Sequence, residues 1–455
     1  MINNHQKIEH DASCLYKVRS SRAKPSTQHL IYFVVLVLIL SACNLGTVSR
    51  SEVTSTPTTN PITQRDNRLV VAWASDGDLM VWQTGDTVPR RIASGGAVQA
   101  FIAPDGERIA FTRGPQGRAE TLWIVDTIGT SEQQLVGDNP TNYTAGINQV
   151  GDVVWGDERT LYFNTLQEQA QFYEPRNDLY RVDVITRQIS QMADAGEGGR
   201  ITLSPDGDSL ITTYHGTYGT EDGVIRVHDL LEQNPAYDLF TFTGVSTASE
   251  FRFYPEIFWA TDETILVALP DPDLIYDGLQ DVSLEETQLW RVSTINPNDT
   301  EIIGTVDASY FSQPIWSSNG GRAMIYFATG ETRNELVAYL AEQDGSNPRE
   351  LYRGTIGDLD TPQWIPNSTA FVYADPSTNT NGTQQYILDD VTQEARALST
   401  EAIFSLQFVD ETRYVYVAQG DGRQEIRFAT LGGESQFIGS VNGVPVFDAV
   451  WVGSN

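Results

Sequence analysis

The sequence predicts an all-β chain built from one repeated unit, and three observations carry that reading. A short text recurs between Ile102 and Trp451: an apolar strand, a tight polar turn, and a second apolar strand. The clearest copies are 102–111 (IAPDGERIAF), 203–211 (LSPDGDSLI) and 316–326 (WSSNGGRAMIY), with looser ones at 155–163, 259–266, 364–371 and 408–415. The copies return about every fifty residues, a period at which no unit buries its own apolar face, so neighbours must stack. Finally, the segments between turns alternate and favour β-branched and aromatic residues, and none sustains a helical period.

The elements follow in order. Each copy opens on a strand that ends at Ile102, Trp155, Leu203, Trp259, Trp316, Trp364, Phe408 or Trp451. Asp-Gly or Asn-Gly then makes a tight hairpin, with Gly supplying positive φ. A third strand is expected at Leu122–Val125, Leu179–Val182, Val224–Val227, Leu289–Val292, Leu336–Tyr339, Tyr386–Leu388 and Glu425–Phe428. A shorter fourth comes next, as at Gln133–Val136, Arg349–Tyr352 and Gln436–Ile438. The eighth copy is split. Phe447–Val452 supplies only a first strand, and its missing partners stand at the other end, near Arg68–Trp73, Leu79–Trp82 and Arg90–Ala93. The reading is a β-propeller of four-stranded antiparallel blades across 68–455. Eight blades are expected and seven is the alternative, with the C-terminal strand joining the N-terminal blade to hide both edges. The tryptophans at the strand ends are expected as wedges between sheets.

Residues 1–42 read as an export signal. Lys7, Lys17, Arg19, Arg22 and Lys24 precede the apolar run Leu30–Leu40, which is shorter than the roughly 20 residues a spanning helix needs. The run closes on Leu40-Ser41-Ala42-Cys43, which resembles the lipobox of bacterial lipoproteins. That resemblance implies cleavage before Cys43, acylation of its sulfur, and export to the cell envelope, held on the outer face of the cytoplasmic membrane or on the outer membrane. Residues 43–67 are rich in Ser, Thr, Pro and Asn and read as a flexible tether.

Ser204-Pro205-Asp206-Gly207 before an apolar strand, with Leu122–Asp126 further along its own unit, resembles the WD40-like repeats of TolB. Similar repeats occur in the propellers of prolyl-oligopeptidase-type peptidases. The resemblance implies the fold across about residues 68–455. No Gly-x-Ser-x-Gly of the kind those peptidases use occurs here.

Composition then excludes chemistry. A net charge of −31 is opposite to what phosphate neutralisation requires, so no nucleic-acid partner is expected. All three lysines precede Cys43, which removes Schiff-base and P-loop chemistry from the remainder of the chain. Cys43 is the last cysteine, and only His215 and His228 remain as imidazoles; both are expected as packed or surface residues rather than as a base. Paired carboxylates survive this filter, but the sequence holds 60 acidic residues, so chance pairs discriminate nothing.

Candidate binding residues come from loop lengths. Connections between strands two and three share a face with those between blades, and the long ones (137–151, 165–178, 215–223, 240–255 and 270–288) all fall there in neighbouring blades. They carry the aromatic residues Tyr143, Phe172, Tyr173, Tyr218 and Tyr276, with the charged residues Glu174, Arg176, Asp271, Asp273 and Asp277. This face is expected to recognise a basic protein segment or a glycan. Asp271, Asp273, Asp277 and Asp281 offer the oxygen ligands Ca²⁺ takes, but their spacing does not match an EF-hand loop, and solvated charge with no cofactor is the expectation. A non-catalytic, membrane-tethered binding scaffold is therefore expected. The alternative is a carboxylate-based hydrolase or binding module acting on envelope or extracellular polysaccharide.

Overall fold

In the computed structural model, residues 67–137, 147–169, 172–217, 219–231, 233–245, 252–270, 285–308, 313–329, 335–355, 363–375, 384–389 and 395–453 are described. Apart from a 3-10 turn at Pro115–Gly117, their regular structure is all β. The strands form eight antiparallel sheets, numbered I to VIII: 68–93 with 447–452, then 97–136, 147–193, 200–242, 258–308, 315–355, 363–397 and 403–441. In sheets II and IV to VIII strand order follows sequence order, the signature of an up-and-down blade. Two sheets depart from this. In sheet I the first strand is Phe447–Val452, which pairs antiparallel with Arg68–Ser75 in a register running from Arg68↔Val452 to Trp73↔Phe447. Sheet III carries an extra strand on its second.

The hairpin residues close the turns as their chemistry requires. Asp105, Asp206 and Asn319 each accept the N–H two residues on through Oδ1, at 2.9, 3.0 and 3.0 Å. The Gly N–H then closes the turn onto Ala103, Ser204 and Ser317 carbonyls. In the looser copies Asp157 and Asp410 do the same for Arg159 and Thr412. At Gly106, with φ +67, a Cβ would sit 2.4 Å from Val452 Cγ2, so this turn needs glycine for space as well as conformation.

The core lies between sheets. Among the described residues, eight apolar clusters each join two neighbours, in the sequence I–II, II–III, III–IV, IV–V, V–VI, VI–VII, VII–VIII and VIII–I. Trp155, Trp259, Trp316 and Trp364 stand in four of them as wedges. Trp155 and Trp364 also donate their indole N–H, at 3.0 Å, to Phe101 and Ile315 carbonyls in the preceding sheet's first strand. Such a bond fixes the angle of a wedge whose burial alone is non-directional. The fold is an all-β propeller.

Two families of turns share one face. Just past the third strands, Thr127, Val184, Leu230 and Thr294 donate their backbone N–H to Glu107, Arg159, Asp208 and Glu263 carbonyls, at 2.9–3.0 Å. Those acceptors all lie in the first hairpin of the same sheet. The turns after the third strands are thus clamped onto the short-turn face, opposite the long connections.

Candidate functional site

The described part of the long-connection face centres on sheets III to V. In sheet III the second strand, Thr160–Gln169, doubles back on the extra strand, Phe172–Pro175, with Phe172 opposite Gln169 and Pro175 opposite Leu166. Residues 165–178, expected as a long connection, are therefore largely a hairpin extension of the sheet. Phe172, Tyr173 and Glu174 lie on its returning strand. Arg176 comes next, its N–H bonded to the Thr165 carbonyl at 2.8 Å, and its Nε lies 3.7 Å from Asp178 Oδ2.

Asp178 is fully buried and accepts from the Thr165 N–H and hydroxyl at 2.8 and 2.6 Å. Burial pushes its carboxyl above the ordinary value, against the pull of the Thr165 bonds and the Arg176 charge. Asn177 beside it has φ 54, a left-handed conformation that asparagine tolerates, and its carbonyl accepts the Gly196 and Gly198 N–H groups. Tyr254, from the connection between sheets IV and V, donates its hydroxyl to Asn177 Oδ1 at 2.9 Å. The Arg200 guanidinium lies 5.1 Å from the Tyr254 ring, and buried His215 meets that ring edge-on at 5.2 Å. Gln313, ahead of sheet VI, donates to the Tyr254 carbonyl at 2.8 Å. Tyr254 thus ties together segments of four sheets. Sequence reading missed it because its partners are 77, 39 and 59 residues distant, and no local spacing announces them.

Both histidines are consumed by packing. His228 is 2 % exposed, its Nε2 lies 3.0 Å from Thr212 Oγ1, and burial, aided by the Arg226 charge, lowers its pKa to about 4. It is neutral at any ordinary pH. His215 sits between Tyr214 and Tyr254. The other carboxyl raised by burial, Asp448, stands in the first strand of sheet I. Its residue surface is only partly covered, but the carboxyl itself is enclosed and accepts the Ile102 N–H at 2.7 Å and Gln407 Nε2 at 3.3 Å. Asp178 and Asp448 share no hydrogen-bond partner and hold separate structural joints. Among the described residues no group of three or more His, Cys, Asp or Glu is placed to hold a metal ion.

A crevice of about 220 Å³ opens between sheets IV and V. Phe240, Phe242, Leu269 and Trp290 wall it, with Thr241 and Gln288 supplying polar edges. The rings of Phe240 and Trp290 are 4.9 Å apart, tilted by 54°. Pro270 at its rim is where the 271–284 segment departs.

Of the expected site residues, Arg176 is placed on this face, and Phe172, Tyr173 and Glu174 on the adjoining strand. Tyr143, Tyr218, Asp271, Asp273, Tyr276 and Asp277 lie outside the described residues, as do Asp281 and Cys43.

No protein-family model and no curated protein matches the sequence. Solved structures do match in fold. The dipeptidyl peptidase 4 of Porphyromonas gingivalis is 11 % identical with a TM-score of 0.50, over 74 % of this chain and 52 % of that one. A structure from a study of two prolyl endopeptidases is 13 % identical with a TM-score of 0.50, over 78 % of this chain and 50 % of that one. The β-propeller domain of the Trilobed protease from Pyrococcus furiosus is matched over its whole length at 14 % identity and a TM-score of 0.46. The chain spans about half the length of the two peptidases. At these identities the likeness speaks for architecture: this chain has the β-propeller fold.

Proposed function

We propose that this propeller is a non-catalytic binding scaffold, carried on a lipid anchor at Cys43 and facing the outside of the cell, which recognises a protein partner through the long-connection face. The observation that carries the reading is the fate of the groups able to do proton chemistry. His215 and His228 are walled in by Tyr, Thr and backbone partners, and the two carboxyls raised by burial hold separate joints of the frame. General acid–base work needs a titrating group within reach of substrate, and glycoside cleavage needs two carboxyls about 5–10 Å apart across a pocket. The described lining of the crevice between sheets IV and V holds no carboxyl and no imidazole.

The crevice supports the choice of partner. At about 220 Å³ it is smaller than the roughly 300–1,000 Å³ typical of ligand pockets, and it suits one apolar or aromatic side chain of a protein. The acidic stretch Asp271–Asp281, which directly succeeds Pro270 in the chain, complements a basic neighbour.

A photo-crosslinking residue at Thr241 tests this in cells. It should capture a discrete partner, and replacing 271–285 with a Gly-Ser linker should abolish capture while leaving the unfolding midpoint unchanged. Hydrolysis of envelope polysaccharide by the purified protein, lost in Asp178→Asn, would overturn the scaffold reading. Cys43→Ala or globomycin should stop lipid labelling, and labelling that persists would remove the anchor.

A further inference from the structure

The short-turn face carries a regular feature that its brevity conceals. In sheets II to V the third strand ends on Asp126, Asp183, Asp229 or Ser293, and the chain continues as Thr127-Ile128, Val184-Ile185, Leu230-Leu231 and Thr294-Ile295. The first residue of each pair is the one clamped by its N–H to the sheet's first hairpin, and it turns inward. Thr127, Val184 and Thr294 are at most 5 % exposed, and Leu230 packs against the III–IV core. The second residue of each pair must then point the other way. Ile128, Ile185, Leu231 and Ile295 are 70, 56, 55 and 69 % exposed. Val88, in the corresponding turn of sheet I, is 64 % exposed.

Single exposed apolar residues are ordinary. Four at one structural position in four consecutive blades are not scattered, and they stand on one face. Between them the surface is predominantly acidic. The hairpins and turns of the same sheets expose Glu107, Asp157, Glu158, Asp206, Asp208, Asp262 and Glu263 against Arg159 and Arg187. The carboxylates at the strand ends are already engaged within their own turns, Asp183 by the Ile185 and Thr186 N–H groups and Asp229 by that of Leu231. Apolar tips set among acids repel an anionic bilayer and match a surface with the opposite pattern.

We infer that the short-turn face of sheets II to V is a second docking surface, built for a cationic, amphipathic protein partner that seats Ile128, Ile185, Leu231 and Ile295 in apolar sockets. It does not depend on the long-connection face. The clamped backbone holds the four tips in place before contact, which lowers the ordering cost of binding.

The test uses the full chain carrying Cys43→Ser, so that no acyl group contributes. The probe is a fluorescent helical peptide of Leu and Lys only, and the control has serine in place of every leucine. Anisotropy at low salt should show the Leu/Lys peptide binding at least tenfold tighter than the control. Combining Ile128→Ser, Ile185→Ser, Leu231→Ser and Ile295→Ser should erase that tenfold preference, leaving control-peptide binding and the unfolding midpoint as in the parent. Equal binding of both peptides by the parent would overturn the inference, because charge alone would then account for it. So would a preference that survives the four substitutions. Flotation with phosphatidylcholine vesicles that the four substitutions abolish, with no peptide preference in the parent, would assign the tips to a bilayer instead.

Discussion

His228 makes the stability of this protein depend on pH in a way that can be worked out beforehand. Its folded pKa is lowered from 6.5 to about 4, chiefly by burial. Between those values the unfolded chain binds the proton and the folded chain does not, so stability present above pH 6.5 is lost as pH falls. Each unit of difference is worth about 1.4 kcal/mol. Between pH 7.5 and pH 5 the loss through this one group comes to about 2 kcal/mol, in a window above where most carboxylates titrate. His228→Gln removes the titration yet can keep a hydrogen bond to Thr212 Oγ1. The assay is guanidinium unfolding of both proteins at pH 7.5 and pH 5, with equal m-values as the check on cooperativity. The parent should lose about 2 kcal/mol more than the variant on acidification. Parallel losses in the two proteins would refute the argument, since they would mean that the buried imidazole accepts its proton in place.

Other outcomes stem from the joints between sheets. Asp448 titrates in the opposite sense: burial raises its folded pKa, so the stability it contributes is full below the unfolded value near 3.8 and is lost as pH rises through the folded one. Asp448→Asn should therefore be least favourable relative to the parent near pH 4 and improve toward neutrality, and Asp448→Ala should follow the same trend but cost about 1–3 kcal/mol more than Asn at every pH by orphaning the Ile102 N–H; unfolding midpoints across pH 4–7 check both. Gly106→Ala forces a Cβ against Val452 at positive φ and should cost about 1–3 kcal/mol, read by thermal unfolding. Trp155→Phe keeps most of the wedge but loses the bond to Phe101, and should cost about 1 kcal/mol in the same measurement.

The architecture was legible because its determinants are local. Asp105, Asp206 and Asn319 need only the residue two places on, and Gly106, Gly207 and Gly320 all take the positive φ of the turn, so a six-residue stretch announces each hairpin. Strand ends at Trp155, Trp316 and Trp364 were readable for the same reason, and each strand ends there. The candidate site was legible only as a face. Its organiser, Tyr254, earns its role from Asn177, His215 and Gln313, and only folding brings those together. Residues 165–178 looked like a loop because Gln167, Glu168 and Gln169 are too polar for a buried strand, yet they pair in register with Phe172–Glu174. The apolar tips on the other face were invisible for the opposite reason. Ile128 and Ile185 lie past the expected third strands, and only the clamp on their neighbours turns them outward.

The pairing of Arg68–Ser75 with Phe447–Val452 also sets an order of events. Sheets II to VIII each draw on one contiguous stretch and can form as that stretch emerges. Arg68–Ser75 must wait, with one edge unpaired, for Phe447–Val452 far down the chain. Until residue 452 has been synthesised the molecule presents an open β-edge on a largely folded body, the kind of edge that recruits another chain. Closure of sheet I is thus set by the most distant pairing in the fold, and a chain cut before residue 447 would leave Arg68–Ser75 with a bare edge.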